Sequence, residues 1–295
     1  MSVLNRETMT RILSAIVTLP ILVYVIVTDD FLSLPILVAA EIISLFCLYE
    51  FYMIADRGEE GKAFVKTGLL FGFILNIIMY LFAFGRPLGL SGYIAAFDSR
   101  VVTAFFMFFI AALLVLQLFT RALKGGAYSL GITVLGVLYI VLSLSHLILL
   151  KSLKDGVFYI IILVAVVMLN DTGAYFGGVM FGKHKAGIEA SPNKSWEGYF
   201  SGLLFSIIAF ILTSQLYASF FSRELFTMLE CVFLGIIISV FANLGDLVES
   251  AIKRDGGYKD SGRIIPGHGG MWDVFDATIF ALPFFYYYLI FKGIP

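Results

Sequence analysis

Carboxylate side chains bracket one polar window of the sequence, residues 245–276. Asp246 stands near its start, and Asp273 and Asp276 stand at its end. Because Asp273 and Asp276 are three residues apart, a helix would place both carboxylates on one face. Carboxylates at neighbouring helix ends can jointly hold a hard cation through oxygen ligands. The window therefore predicts a site for Mg²⁺, with a second cation as an open alternative.

Basic residues and glycines lie between these acids. Lys253, Arg254 and Lys259 would supply positive charge to a polyphosphate beside the metal. The run Pro-Gly-His-Gly-Gly at 266–270 gives a backbone that can close around a ligand, because glycine tolerates unusual conformations. Carboxylate-bound magnesium with basic residues is typical of phosphoryl and nucleotidyl transfer. The competing interpretation is a solvated charged loop with helix caps.

A second polar segment, residues 182–198, is rich in lysines, hydroxyls and glycines, which all suit phosphate oxygens. The stretch from Gly177 to Lys183 nearly matches a phosphate-binding Gly-x4-Gly-Lys loop. His184 stands where that motif needs Ser or Thr, and an apolar run precedes it instead of a strand. We therefore do not assign that fold. The alternative is an ordinary basic loop against anionic lipid headgroups.

Polar residues inside long apolar runs are costly in lipid and commonly have a function. Asp171, which follows Asn170, interrupts a 24-residue apolar run and precedes Gly173 and Gly177. Such small residues let another helix or a ligand approach closely, so Asp171 is a candidate functional residue. We favour structural roles for the other polar residues of the runs, which are Glu41, Glu50, His146 and Glu230.

The composition indicates what must position these groups. The chain has 295 residues, of which 60% are hydrophobic and 14% charged, whereas a soluble domain has about 25% charged residues. Nine apolar runs are each close to the length of about 20 residues that a membrane-spanning helix needs. The runs are 12–27, 31–54, 65–84, 101–119, 130–150, 157–180, 199–221, 225–244 and 274–291. We predict an all-α, polytopic integral membrane protein with about nine transmembrane helices.

The charges of the connecting segments predict the orientation. With the N-terminus in the cytoplasm, 14 of the 20 Lys and Arg residues lie on the cytoplasmic side, as the positive-inside rule requires. Both polar segments, 182–198 and 245–273, then face the cytoplasm. We expect one membrane domain, with N-terminal spans in 1–156 and the catalytic spans and loops in 157–295. Its compactness favours a bacterial inner membrane, and a net charge of −1 excludes nucleic acid as a partner.

At these residues the sequence resembles the phosphatidate cytidylyltransferase family, also called CDP-diacylglycerol synthases. The family signature reads Ser-x-x-Lys-Arg-x4-Lys-Asp-x-Gly, then Pro-x-His-Gly-Gly, then Asp-Arg-x-Asp. Here it spans Ser250 to Asp276, with Val274 in place of the family's arginine. The segments that begin at Asp171, Gly182 and Ser191 also resemble family motifs.

The resemblance implies transfer of CMP from CTP to phosphatidate, with membrane lipids as further partners and a homodimer as the assembly. It implies catalytic roles for Asp246, Lys253, Asp273 and Asp276. Of these four residues, the three aspartates would bind the metal. It implies substrate binding by Asp171, Lys183, Ser191, Lys194, Ser195, Arg254, Lys259 and His268. Two alternatives stay open: a CTP-dependent polyprenol kinase, and a non-enzymatic ion-coupled transporter.

Overall fold

The computed structural model describes residues 20–28, 30–85, 99–267 and 269–294. These residues are predominantly helical, and the part of the chain so described holds only two isolated β-bridges. The helices are α1 (Asp30–Ile54), α2 (Val65–Phe84), α3 (Ser99–Thr120), α4 (Gly126–Gly136), α5 (Ser143–Ser152), α6 (Gly156–Phe181), α7 (Trp196–Phe221), α8 (Met228–Asp255) and α9 (Met271–Phe291). A π-helical segment, Val137–Leu142, joins α4 to α5, and a 3₁₀ turn covers Gly58–Glu60.

Eight helices within the described ranges are long and apolar enough to cross a membrane, with α4 and α5 counted as one span. They correspond to eight of the nine predicted runs, so the all-α polytopic membrane fold is confirmed. Half of the remaining run, residues 12–19, falls outside the described residues, and its other half, 20–27, is helical. The count of nine and the cytoplasmic N-terminus stay predictions.

The predicted start of the second polar segment is wrong. Residues 245–255 are not a loop, because α8 continues to Asp255 and carries Asp246 and Lys253 on helical backbone. The predicted run ended at Leu244, where hydropathy falls. A helix can continue past that point when its polar residues recur at helical spacing along one side.

The chain divides into two compact units. The first comprises Met1–Ser152 and Asp255–Phe275, and the second comprises Leu153–Arg254 and Asp276–Pro295. The segment Asp255–Phe275 packs with the N-terminal helices, and the single membrane domain with its division at residue 156 stays a prediction.

Tyr52 is the point at which three helices of the first unit meet. Its hydroxyl donates a hydrogen bond of 2.7 Å to the Thr133 carbonyl oxygen. A Cβ at Gly68 would lie 2.4 Å from the Tyr52 hydroxyl oxygen, and one at Gly136 would lie 2.5 Å from the ring. Glycine at both positions therefore lets α2 and α4 close on α1.

In the second unit, α6 and α7 pack at very short separation. A Cβ at Gly177 would lie 2.2 Å from the Ser201 Cβ, and one at Gly202 would lie 2.9 Å from the Asn170 carbonyl oxygen. Small residues are the usual means by which membrane helices approach this closely.

Candidate active site

Three carboxylates of the second unit form one acidic group. Asp246 and Glu249 come from α8 and Asp276 from α9, and one oxygen of each lies within 4.8 Å of the others. Asp246 and Glu249 are three residues apart, so both lie on one face of α8. A Cβ at Gly245 would lie 2.4 Å from the Asp276 carbonyl oxygen. Glycine beside Asp246 therefore permits the approach of α8 to α9 that assembles the group.

Two lysines pair with this group. The Lys194 ammonium forms an ion pair with Asp246, and the Lys253 Nζ lies 2.7 Å from Glu249 Oε2. The Glu249 side chain is only 1% exposed and that of Lys253 12%. A buried charge is costly unless it is paired, so these lysines stabilise carboxylates that repel one another.

Asn170 orients a fourth carboxylate, that of Asp171. The Asn170 side chain is fully buried, and its Nδ2 donates to Asp171 Oδ1 at 3.1 Å. Its Oδ1 accepts hydrogen bonds from Ser239 Oγ at 2.6 Å and from Ser206 Oγ at 3.2 Å. Asn170 therefore connects α6 with α7 and α8 and fixes the position of Asp171 on α6.

Electrostatic interactions join Asp171 to the acidic group. The charges of Asp246 and Lys194 act on Asp171, and those of Asp171 and Lys253 act on Asp276. Counted as formal charges, the four carboxylates exceed the two lysines by two negative charges. Carboxylate oxygens are the ligands that hard divalent cations prefer. In both donor type and charge, the group fits Mg²⁺.

The segment before α7 positions Lys194. The Ala186 N–H donates to the Lys194 carbonyl oxygen at 2.9 Å, and the Trp196 N–H donates to His184 at 3.0 Å. The Ser195 hydroxyl then accepts from the Gly198 N–H at 3.2 Å and caps α7. Lys194 is thus held immediately before a capped helix, with its ammonium directed to Asp246.

The family model described as "Cytidylyltransferase family" matches residues 9–291 of the chain. The chain belongs to the cytidylyltransferase family. Among similar curated proteins, a phosphatidate cytidylyltransferase of Staphylococcus haemolyticus is 48% identical over 130 residues, which cover 44% of this chain and 48% of that protein.

Phosphatidate cytidylyltransferases of Staphylococcus aureus (strain COL) and Staphylococcus epidermidis are 45% and 44% identical over 133 residues. The matched regions cover 45% of this chain and 49% of each relative. The chain therefore spans about half the length of the curated relatives it matches.

In this cytidylyltransferase-family chain the structure brings together several of the residues predicted for the site. They are Asp171, Lys194, Asp246, Lys253 and Asp276. Of the other predicted residues, Lys183, Arg254 and Lys259 are exposed, Ser191 is half-buried in a turn, and Ser195 caps α7. His268 lies outside the described residues.

Asp273, a predicted metal ligand, has different partners in this structure. Its Oδ2 accepts hydrogen bonds from the Ser261 N–H at 2.9 Å and the Gly270 N–H at 2.7 Å. Asp273 belongs to the first unit, whereas the acidic group lies in the second. A metal role for Asp273 stays a prediction.

Glu249 is the site residue that the sequence analysis missed. It stands three residues after Asp246 and four before Lys253, which places the three on one side of a helix. That spacing would have indicated the group had residues 245–255 been treated as helix.

Proposed function

We propose that this chain transfers CMP from CTP to phosphatidate, giving CDP-diacylglycerol and pyrophosphate. The observation that carries the proposal is the acidic group Asp246, Glu249 and Asp276 with its two paired lysines, on membrane-spanning helices of a cytidylyltransferase-family protein. The names of the staphylococcal relatives support the same substrate pair.

The transfer needs positioning and charge neutralisation. An oxygen of the phosphatidate phosphate forms a bond to the α-phosphorus of CTP. The bond from that phosphorus to its bridging oxygen breaks, and pyrophosphate leaves with the electron pair. The nucleophile is already an anion, so the protein need not supply a base. Alignment of the two phosphates and stabilisation of the transferring charge dominate such reactions.

The acidic group and the lysines have different roles in the transfer. Asp246, Glu249 and Asp276 would hold Mg²⁺, which when bound supplies positive charge to the polyphosphate. Lys194 and Lys253 neutralise carboxylates in this structure, and their ammonium groups can turn to phosphate oxygens when CTP enters. Asp171, oriented by Asn170, completes the negative side of the site.

The location of the group suits a reaction between a lipid and a water-soluble nucleotide. Asp246 and Glu249 lie close to the C-terminal end of α8, and Asp276 lies in the second turn of α9. Phosphatidate would reach the site from the bilayer and CTP from the aqueous side. We infer from the 14 Lys and Arg residues counted on one side that the site faces the cytoplasm, in a bacterial inner membrane.

The transporter alternative would use Glu41, Asp171 and Glu230 as an ion path. Glu41 accepts a hydrogen bond from Asn76 Nδ2 at 3.0 Å, which joins α1 to α2. Glu230 pairs with Lys292 at 2.7 Å and accepts from the Tyr288 hydroxyl at 2.9 Å. These contacts favour structural roles for both glutamates and support the enzyme over the transporter.

The test is a product assay on the purified full chain with CTP and phosphatidate in lipid vesicles. We expect CDP-diacylglycerol and pyrophosphate in equal amounts, and no product when EDTA removes divalent cations. In a parallel assay with a polyprenol in place of phosphatidate, release of CDP with a phosphorylated polyprenol would favour the kinase alternative. Absence of any lipid product in the presence of Mg²⁺ would contradict the proposal.

A further inference from the structure

The chain between α8 and α9, residues 256–270, contains most of the family-like signature and is called the signature loop below. Its end forms a tight turn, because Ile265 N–H donates to Gly269 at 2.9 Å and Gly269 N–H donates to Ile265 at 3.1 Å. Gly267 and Gly269 have φ angles of 81° and 97°, a region that favours glycine. The described residues of the loop therefore have a defined shape. Contacts from a neighbouring helix are needed to hold the loop in place.

Glu50 of α1 makes that attachment. Its carboxylate is buried, with 4% of the residue exposed. Oε2 accepts hydrogen bonds from the Ser261 hydroxyl at 2.8 Å and the Trp272 N–H at 2.8 Å, and Oε1 accepts from the Met271 N–H at 3.0 Å. Met271 and Trp272 open α9, where N–H groups have no partner within the helix and a negative charge is favourable.

The glycines of the signature loop fit around this carboxylate. A Cβ at Gly262 would lie 2.4 Å from Glu50 Oε1, and one at Gly270 would lie 2.4 Å from Oε2. The Gly270 Cβ would also lie 2.2 Å from the Ser261 Oγ. Glycine at these two positions is therefore explained by the space that Glu50 and Ser261 occupy.

Asp273 closes the same arrangement from the other side. Its Oδ2 accepts from the Ser261 and Gly270 N–H groups, and its own N–H donates to Ser261 Oγ at 3.2 Å. Ser261 thus bonds to both acids. The two carboxylates hold Ser261 and Gly270 of the signature loop against the first turn of α9.

We propose that Glu50 is a positioning residue for CMP transfer: it fixes the signature loop and the first turn of α9, and so the helix that carries Asp276. Asp276 lies five residues after Met271 on the same continuous helix. This inference rests on the proposed function. It assigns a role to a residue 120 positions before Asn170, in a part of the chain that contains none of the family motifs named above.

The contacts specify a carboxylate of this length. In Glu50→Gln an amide NH₂ would replace one oxygen and face an N–H or O–H donor, leaving a buried donor unpaired. In Glu50→Asp the charge remains, but the side chain is one methylene shorter and cannot reach the same three donors. If only the volume of Glu50 mattered, Glu50→Gln would keep the wild-type properties. If only its charge mattered, Glu50→Asp would keep them.

The first measurement is limited trypsin digestion of the full-length protein in lipid nanodiscs. Lys259 and Arg263 are exposed cleavage sites within the signature loop, and Lys183 and Lys185 are exposed sites in the other polar segment. We expect about tenfold faster cleavage at the loop sites in both Glu50 variants, with the Lys183 and Lys185 sites unchanged. The matched control is Glu60→Gln, which alters an exposed acid in the 3₁₀ turn.

The second measurement is the Mg²⁺ concentration that gives half-maximal CMP transfer. A loss of folded protein lowers the rate without moving this concentration. A displaced α9 would weaken the acidic group, and we expect the concentration to rise about fivefold or more in both Glu50 variants, on the order of one weakened charged hydrogen bond.

Three results would overturn the inference: unchanged loop cleavage in Glu50→Gln, equal acceleration at every trypsin site, or an unchanged Mg²⁺ requirement. A wild-type protein that makes no CDP-diacylglycerol would instead refute the proposed function. In that case the cleavage pattern alone would still decide whether Glu50 anchors the loop.

Discussion

At the scale of single residues, carboxylates of the same formal charge have different partners. Asp246, Glu249 and Asp276 lie beside one another, and Asp246 and Glu249 form ion pairs with ammonium groups. Glu50 and Asp273 instead accept hydrogen bonds from backbone N–H groups at the start of α9. Removal of a charge should therefore affect the metal requirement directly in the first set and through loop position in the second.

Glu249→Gln tests the first set. The amide keeps the size of the side chain but removes a buried charge and breaks the ion pair between Glu249 and Lys253. We expect CMP transfer to fall by a factor of about 100 or more, or roughly 3 kcal/mol, as for loss of a key electrostatic group. The readout is the initial rate at saturating CTP, with the thermal unfolding temperature measured in parallel.

The matched control for that variant is Glu224→Gln, since Glu224 is exposed between α7 and α8. It should keep the wild-type rate. A Glu249→Gln protein with wild-type activity would remove Glu249 from the site.

Val274 is the one departure from the family signature. It is 41% exposed and Arg263 is exposed as well, so an arginine at 274 would not bury a charge. We expect Arg263 to supply the missing positive charge. Arg263→Ala should then reduce activity severely, and Val274→Arg should restore much of it while changing the unaltered protein little.

The measurement is the rate of CMP transfer for all four combinations of the two substitutions, at matched expression. Additive effects would mean that positions 263 and 274 share no role. A large gain from Val274→Arg alone would indicate a weakened site instead of compensation.

At the scale of elements, apolar runs predicted helices well but their ends poorly. Eight runs correspond to spans. A continuous apolar segment in lipid forms a helix because only there are its backbone hydrogen bonds satisfied within the segment. The end of α8 was placed at Leu244 because hydropathy measures partition into lipid, whereas helix continuation depends on backbone hydrogen bonds. The error concealed Glu249, which is recognisable only when 245–255 is helical.

The contacts that could not be predicted from the sequence are those between residues far apart in the chain. Lys194, Asp246 and Asp276 stand in polar segments and were candidates from residue type and spacing. The hydrogen bonds of Glu50 join residues more than 200 positions apart, and no local pattern indicates such a partner. The hydrogen bonds from Ser206 and Ser239 to Asn170 depend in the same way on the packing of three helices.

The close packing of α6 against α7 gives a prediction about stability. Gly177→Ala would place a Cβ 2.2 Å from the Ser201 Cβ and force the helices apart. We expect it to destabilise the protein by about 1–3 kcal/mol, the usual cost of overpacking. Thermal unfolding in detergent measures this effect.

Gly131→Ala is the control, because a Cβ there meets nothing within 4 Å. Alanine should be neutral or slightly stabilising in this helical position. Equal unfolding temperatures for the two variants would contradict the packing account.

At the scale of the whole molecule, CTP can reach the proposed site from the cytoplasm only if both polar segments lie on the cytoplasmic side. Glu189→Cys and Asp260→Cys place thiols at exposed positions of the two segments, and Glu224→Cys places one in the connection predicted to lie outside. Cys47 and Cys231 are buried, so the background of labelling is low. We expect an impermeant maleimide to label only Glu224→Cys in intact cells, and all three after permeabilisation. Labelling of either segment from outside would reverse the topology.

CTP labelled with ³²P at the α or the γ position identifies the group that the enzyme transfers. The purified chain is supplied with phosphatidate and Mg²⁺, and label is followed in the lipid and aqueous phases. We expect α-label in the lipid product and γ-label in released pyrophosphate alone. Label in the lipid from the γ position, or none from the α position, would contradict CMP transfer.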